Sequence, residues 1–159
     1  MVTALLVSTL AQASDVGTSK RIGVGVATGP GILDATGKYY LNDKMGISAY
    51  LGTSFSYHML RGNFEMEFVE LADWDFARMD MYWDAGIDLG LHTAYGFVDG
   101  QFGLGGGVGV ELQFHEVPAH VFVDVGLGVN PLDFCDIYEA PGGFCLIAPR
   151  GAAGGRWYF

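Results

Sequence analysis

The sequence predicts an all-β protein, specifically an eight-stranded antiparallel up-and-down transmembrane β-barrel. The first observation is the stretch Met79–Leu91, where apolar side chains at odd positions alternate with three aspartates, a tyrosine and two glycines at even positions. A strand sends these two sets to opposite faces, whereas a helix would mix them around its circumference. The second observation is that this strand has about twice the usual length, as a membrane-crossing strand needs. The third is composition, because 25 glycines and 14% aromatic residues suit curved, crowded β-structure.

Seven further segments show the same alternation, bounded by turn residues such as Gly29-Pro30-Gly31 and Glu116-Val117-Pro118. The predicted strands are Arg21–Thr28, Thr36–Asn42, Met45–Phe55, Leu60–Glu70, Met79–Leu91, Gln101–His115, Ala119–Val129 and Gly151–Phe159. A connection is predicted at Leu71–Arg78 and a long loop at Asn130–Arg150. Closing an even number of neighbouring strands into a barrel removes the edges that such strands would otherwise expose.

Each strand has one apolar face, which we expect to point outward. In the first strand this face is Ile22, Val24 and Val26, opposite small residues. In the third strand it is Ile47, Ala49 and Leu51, and the fourth strand alternates most regularly. In the sixth strand, apolar residues alternate with glycines, and in the seventh, valines alternate with polar or aromatic residues. The inward glycines of the first and sixth strands should relieve crowding in the narrow interior and let the wall curve.

The length and charge limit the possible classes of protein. A chain of 159 residues suits one domain, and no run approaches the roughly 18–20 apolar residues of a membrane-spanning helix. The net charge is −10 with only 8 lysines and arginines, so we expect no nucleic-acid partner.

Residues 1–13 are predicted to be a signal peptide, leaving residues 14–159 as the barrel domain. Val2–Leu10 is an apolar segment, and Ala11-Gln12-Ala13 fits the small-x-small cleavage pattern. No lysine or arginine precedes the apolar segment, so a short apolar strand or helix is the alternative. Export to an oxidising compartment would allow Cys135 and Cys145 to form a disulfide within the long loop.

Charged side chains are predicted to fill the interior, because an eight-stranded barrel is only wide enough for side chains. The predicted interior charges are Lys38, Arg61, Glu65, Glu67, Asp84, Asp88, Glu111, Asp124 and Arg156. Buried charges need partners, so these residues should form a salt-bridged plug with an excess of acid. The alternative is that some of these acids form a metal-binding or catalytic cluster of carboxylates. That cluster would consist of Asp80, Asp84, Asp88, Glu65, Glu67 and Glu111.

Other candidate chemistry is weaker, and we predict no catalytic residue, cofactor or metal. Gly103–Gly109 lacks nucleotide-loop spacing, since its glycines alternate with apolar residues as in a strand. The four histidines show no ligand spacing, although His115 and His120 flank the Pro118 turn and a weak metal site there is the alternative. No convincing nucleophile, base and orienting group can be assembled, so the chain is predicted not to be an enzyme.

The C-terminal residues Arg156-Trp157-Tyr158-Phe159 resemble the last strand of bacterial outer-membrane barrels, which ends in Phe. Gly155 and Ala153 are smaller than the residues of many members. More broadly, residues 20–159 resemble small eight-stranded outer-membrane barrels of OmpA/OmpX-like size, through Gly29-Pro30, Thr36–Leu41 and Val117–Val125. The resemblance implies the outer membrane of a diderm, Gram-negative bacterium. It also implies that Trp157 and Phe159 form the C-terminal signal that the barrel assembly machinery recognises. The long loop Asn130–Arg150 would then lie outside the cell.

The predicted function is that of a monomeric integral outer-membrane barrel with a structural or surface-interaction role. Its partners would be the lipid bilayer and an extracellular molecule bound by the long loop. The alternative for that loop is a simple bracing role. One alternative is a soluble lipocalin-like carrier of small molecules, with its apolar faces turned inward. A narrow, porin-like pore and an outer-membrane lipid-modifying enzyme are the remaining alternatives. The enzyme is disfavoured because no histidine here is part of the His-x-Ser-Asn element that lipid A deacylases carry.

Overall fold

A computed structural model describes residues 16–29, 32–54, 57–94, 97–129 and 147–159. Eight antiparallel strands follow one another in chain order and close into a single barrel, in which β8 pairs with β1. The strands are β1 (Ile22–Gly29), β2 (Ile32–Tyr40), β3 (Met45–Thr53), β4 (Tyr57–Trp74), β5 (Ala77–Ala94), β6 (Phe97–Phe114), β7 (Ala119–Val129) and β8 (Ile147–Tyr158). The predicted fold, an all-β, eight-stranded antiparallel up-and-down barrel, is therefore confirmed. Within the described residues, no helix is long and apolar enough to cross a membrane.

The strand register fixes the tilt of the wall. Paired residues can be followed from Ala119 on β7 through β8 and β1 and on around to β6. This path returns to β7 at Val129, ten residues further along. At ordinary strand spacing and rise, a stagger of this size tilts eight strands by about 40° to the barrel axis. We call the end at which β8 finishes the C-terminal rim; the connections after β2, β4 and β6 lie there too.

The fourth and fifth strands are longer than predicted. Both have 18 residues and extend into the predicted connection Leu71–Arg78, leaving only residues 75 and 76 as the turn. The register shifts between Glu67 and Val69 and again between Glu70 and Ala72. Each shift is a β-bulge that inserts one residue and reverses the alternation. The prediction ended the strand here because a bulged strand does not look alternating in sequence.

Glycines on the inner wall make room for large inward side chains of nearby strands. A Cβ atom added at Gly109 on β6 would collide with the Tyr82 ring, and one added at Gly23 on β1 would collide with Tyr158. At Gly105 an added Cβ would meet the side chain of Arg150. Each of these inward side chains therefore packs against bare backbone of another strand, as tight packing of a narrow interior requires.

We expect Gly109→Ala to destabilise the barrel by about 1–3 kcal/mol, the usual cost of overpacking. The added methyl group would occupy the space of the Tyr82 ring end. The free energy of unfolding in urea measures the effect, and Gly62→Ala is the control, because nothing lies within 4 Å of a Cβ added there. Combining Gly109→Ala with Tyr82→Leu should cost less than the sum of the single changes. Equal losses for Gly109→Ala and Gly62→Ala would contradict this packing.

Candidate functional site in the barrel interior

The structure buries eight of the nine predicted interior charges on the inner wall. Asp88 is also on this wall, with its side chain 18% exposed. The eight are Lys38, Arg61, Glu65, Glu67, Asp84, Glu111, Asp124 and Arg156. These residues come from six of the eight strands. All of them except Asp124 belong to three groups that follow one another along the barrel axis.

The central group is built around Glu111, which is fully buried on β6. Lys38 Nζ lies 2.7 Å from Glu111 Oε2 and 3.0 Å from Glu65 Oε2. The Arg156 guanidinium lies 3.7 Å from Glu65 and 3.8 Å from Glu111. Two carboxylates and two cations from β2, β4, β6 and β8 thus neutralise one another across the barrel.

Aromatic side chains surround this central group and contact its charged atoms. The Tyr40 hydroxyl lies 3.2 Å from Glu111 and 3.3 Å from Glu67, and Lys38 Nζ lies 4.4 Å from the centre of the Tyr40 ring. His120 Nδ1 lies 3.2 Å from Glu111 Oε1.

The Arg156 guanidinium is held from several sides. It lies 4.0 Å above the Phe122 ring and donates a hydrogen bond of 2.7 Å to the Tyr50 hydroxyl. A second hydrogen bond, of 3.1 Å, runs from Arg156 Nε to Thr36. Cations placed over aromatic faces are held firmly where water is scarce.

A second group lies at the C-terminal rim, where the interior opens. Arg78 Nε lies 2.7 Å from Asp80 Oδ2, and Gln113 Nε2 donates to Asp80 at 2.9 Å and to Glu67 at 3.2 Å. Because the Tyr40 hydroxyl contacts Glu67 as well as Glu111, this group is continuous with the central one.

A third group lies toward the opposite end. Arg61 Nε and Arg150 Nε lie 2.7 Å and 3.0 Å from the Asp88 carboxylate. Arg150 also donates a hydrogen bond of 3.0 Å to the side-chain oxygen of Asn63, and its Nη1 atom lies 3.9 Å from Asp84. Asp88 is thus shared between two arginines.

Acidic groups outnumber basic ones in the described interior. The buried carboxylates number seven and the buried lysines and arginines four. The acids are Asp34, Glu65, Glu67, Asp80, Asp84, Glu111 and Asp124, and the bases are Lys38, Arg61, Arg150 and Arg156. Buried charge without a partner is unfavourable, so the excess acids must be protonated, hydrated or paired with cations from solution.

The prediction missed Arg150, Asp34 and the tyrosines of this interior. Arg150 was placed in the long loop, since Pro149 next to it argues against a strand interior. In the structure Pro149 lies opposite Leu127 in the β7–β8 pair, and β8 already begins at Ile147. The alternation of Ala148, Arg150 and Ala152 was the signal that could have extended the strand.

The histidines flanking the Pro118 turn do not come together. His120 is buried beside Glu111, whereas half-exposed His115 lies 3.0 Å from Asp73 at the rim. Among the residues that the structure describes, no group of three or more His, Cys, Asp or Glu side chains is arranged to hold a metal.

The predicted C-terminal signal residues lie on the outer face. Trp157 and Phe159 are exposed, while Tyr158 between them points inward. The Phe159 amide donates to the Ile22 carbonyl at 2.9 Å and so joins the chain end to β1. Cys135, Cys145 and the predicted signal peptide lie outside the described residues.

The barrel is similar to a solved structure, the N-terminal β-barrel domain of Pseudomonas aeruginosa OprF. The two share 10% sequence identity with a TM-score of 0.66, over 88% of this chain and 98% of the OprF domain. No protein-family model matches the sequence, and a search of curated proteins found no match. At this identity the likeness shows a shared fold: a closed, eight-stranded antiparallel barrel of the kind that forms the OprF N-terminal domain.

Proposed function

We propose that the chain is an integral outer-membrane β-barrel protein of a diderm bacterium, with a plugged interior and a structural or surface-interaction role. The observation that carries the proposal is the distribution of polarity across the wall. Most of the charged side chains inside are paired, whereas the side chains exposed outside are overwhelmingly aliphatic or aromatic. Each strand contributes to this outer surface, for example through Val26, Leu51, Ile87 and Val125. This is the arrangement that a lipid bilayer requires of a β-barrel.

The same observation argues against a soluble lipocalin-like carrier. Such a carrier needs an apolar cavity inside and a polar surface outside. Here the inner wall carries buried Lys38, Glu65, Glu111 and Arg156, while valines and leucines face outward. An exposed apolar surface of this extent would make a protein in water associate with itself.

The interior contacts favour a plug over an open pore. Lys38, Glu65, Glu111 and Arg156 join opposite walls through ion pairs of 2.7–3.8 Å, and aromatic rings pack around them. Single-channel recordings that showed steady open levels would favour the narrow pore instead. The absence of enzymatic activity, the monomeric state and the extracellular partner remain predictions.

Cell fractionation tests the location. Expressed with a complete signal peptide, the protein should be recovered in washed outer membranes. It should also migrate differently on a gel before and after boiling, because a closed barrel resists detergent until heated. A soluble periplasmic product without this mobility shift would overturn the proposal and favour the carrier.

A further inference from the structure

The lysines and arginines of this chain occur in two places. The sequence has eight of them. Four are buried inside the barrel, namely Lys38, Arg61, Arg150 and Arg156. The other four lie at the C-terminal rim, before β1, in the turn after β2 and at the beginning of β5, namely Lys20, Arg21, Lys44 and Arg78. The segments that connect strands at the opposite end contain no lysine or arginine, so the cations outside the interior are confined to one rim.

Three of the rim cations belong to one continuous piece of backbone. Residues 16–21 fold against the turn between β2 and β3. The Arg21 carbonyl accepts a hydrogen bond of 2.9 Å from the Tyr40 amide, and a Cβ atom added at Gly17 would lie 3.4 Å from the Cα atom of Asp43. The two segments therefore share one sector of the rim. We call the cations of this sector the basic rim surface, which consists of Lys20, Arg21 and Lys44.

Described carboxylates do not neutralise the basic rim surface. In the part of the chain that the structure describes, no ion pair joins any of its three cations to an acid. Arg78, by contrast, lies 2.7 Å from Asp80. Two of the three cations are exposed and Lys20 is half-exposed. Because Asp43 is the one acid in the two segments that form the surface, positive charge is locally in excess in a chain with a net charge of −10.

The apolar outer wall begins directly beside these cations. Ile22 follows Arg21 in sequence, is exposed, and pairs with exposed Tyr39 of β2. The Phe159 amide donates a hydrogen bond of 2.9 Å to the Ile22 carbonyl, so the exposed C-terminal residue lies in the same sector, two positions after exposed Trp157. In membrane proteins, aromatic side chains lie at the level of the head groups, where lysine and arginine side chains reach lipid phosphates.

We propose that the basic rim surface binds the head groups of anionic phospholipids in the leaflet at the C-terminal rim. The inference rests on the proposed function, because a barrel in a bilayer places these cations beside head groups. Lipid phosphates would supply the negative charge that the described carboxylates do not, while Ile22, Tyr39 and Phe159 would contact the acyl chains of the same lipids. An acidic soluble protein fits less well, since the apolar side chains adjoining the cations would then face water or that partner.

Fluorescence quenching by brominated lipids tests the surface. The protein is folded into vesicles of phosphatidylcholine and phosphatidylglycerol, with Trp74→Phe and Trp83→Phe leaving Trp157 as the reporter at this rim. A cation near an anionic membrane surface strengthens binding about fivefold. We therefore expect brominated phosphatidylglycerol to bind beside Trp157 about fivefold better than brominated phosphatidylcholine, and high salt should reduce this preference. Lys20→Gln combined with Lys44→Gln should lower it to about twofold or less.

Two controls locate the effect. Lys20→Arg combined with Lys44→Arg keeps both charges and should keep the preference. Arg78→Gln removes a rim cation that is already paired, and it should also leave the preference unchanged. Equal quenching by the two lipids in the reporter protein would reject the basic rim surface while leaving the membrane location intact, and so would a preference that persists in the glutamine variant. Absence of quenching by either lipid would mean that no bilayer surrounds the barrel, and the proposed function would fail together with this inference.

Discussion

Replacing Glu111 by leucine should cost about 3–5 kcal/mol of unfolding free energy, the range found when one partner of a buried ion pair is removed. Glu111 is fully buried, and it contacts Lys38, Arg156 and His120. Its loss would leave Glu65 as the carboxylate that balances Lys38 and Arg156 in the central group. The effect is large because the cations remain buried when their partner has gone.

Urea titration of the folded protein measures this loss, and Glu116→Leu serves as the control. Glu116 is exposed in the turn before β7, at the C-terminal rim of the barrel. Its replacement removes the same charge but should change the unfolding free energy by less than about 0.5 kcal/mol. If Glu111→Leu cost as little as the control, the interior charges would be individually hydrated and the plug would be wrong.

A double variant separates the ion pair from packing. Lys38→Met combined with Glu111→Leu removes both members of the 2.7 Å pair, so neither is left buried without its partner. The double variant should therefore lose clearly less stability than the sum of the two single variants. Strict additivity would indicate that the two residues contribute through packing alone.

The sequence predicts which face of a strand a residue occupies much better than which residues meet inside the barrel. In Met79–Leu91 the alternation alone places Asp80, Asp84 and Asp88 on one face, and the structure has all three on the inner wall. Alternation does not indicate, however, at which level along the barrel axis a residue lies. Lys38 meets Glu111, 73 positions away, because the stagger of the strands brings β2 and β6 to the same level. That stagger depends on the pairing of every strand in the closed barrel.

Strand ends were predicted poorly where the chain departs from regular pairing. The bulges at Phe68 and Leu71 reverse the alternation twice within a few residues, so this part of β4 looks like a connection. The turn that follows, Asp75-Phe76, contains no glycine, proline or asparagine to mark it. At β8, Pro149 obscured the beginning of the strand. In each case the structure compensates through pairing with a neighbouring strand, which a single segment of sequence does not reveal.

Replacing Ile87 by arginine should distinguish a bilayer around the barrel from water around it. Ile87 lies well inside β5 on the outer face, is 44% exposed, and pairs with Gly62 and Leu104. In a bilayer, arginine near the midplane of the outer wall should cost about 2–4 kcal/mol of unfolding free energy, measured by urea titration in lipid vesicles. On a surface in water the same change would stay within about 0.5 kcal/mol, since no buried contact is lost.

Val117→Arg is the matched control for Ile87→Arg, because Val117 is an exposed apolar residue in the turn at the C-terminal rim. Both variants gain one positive charge, and they differ in position relative to the apolar outer wall. A large loss for Ile87→Arg with little change for Val117→Arg is the result expected of a barrel surrounded by lipid. Small losses in both would mean that the outer wall faces water or another protein, and the membrane proposal would then fail even though the barrel itself is closed.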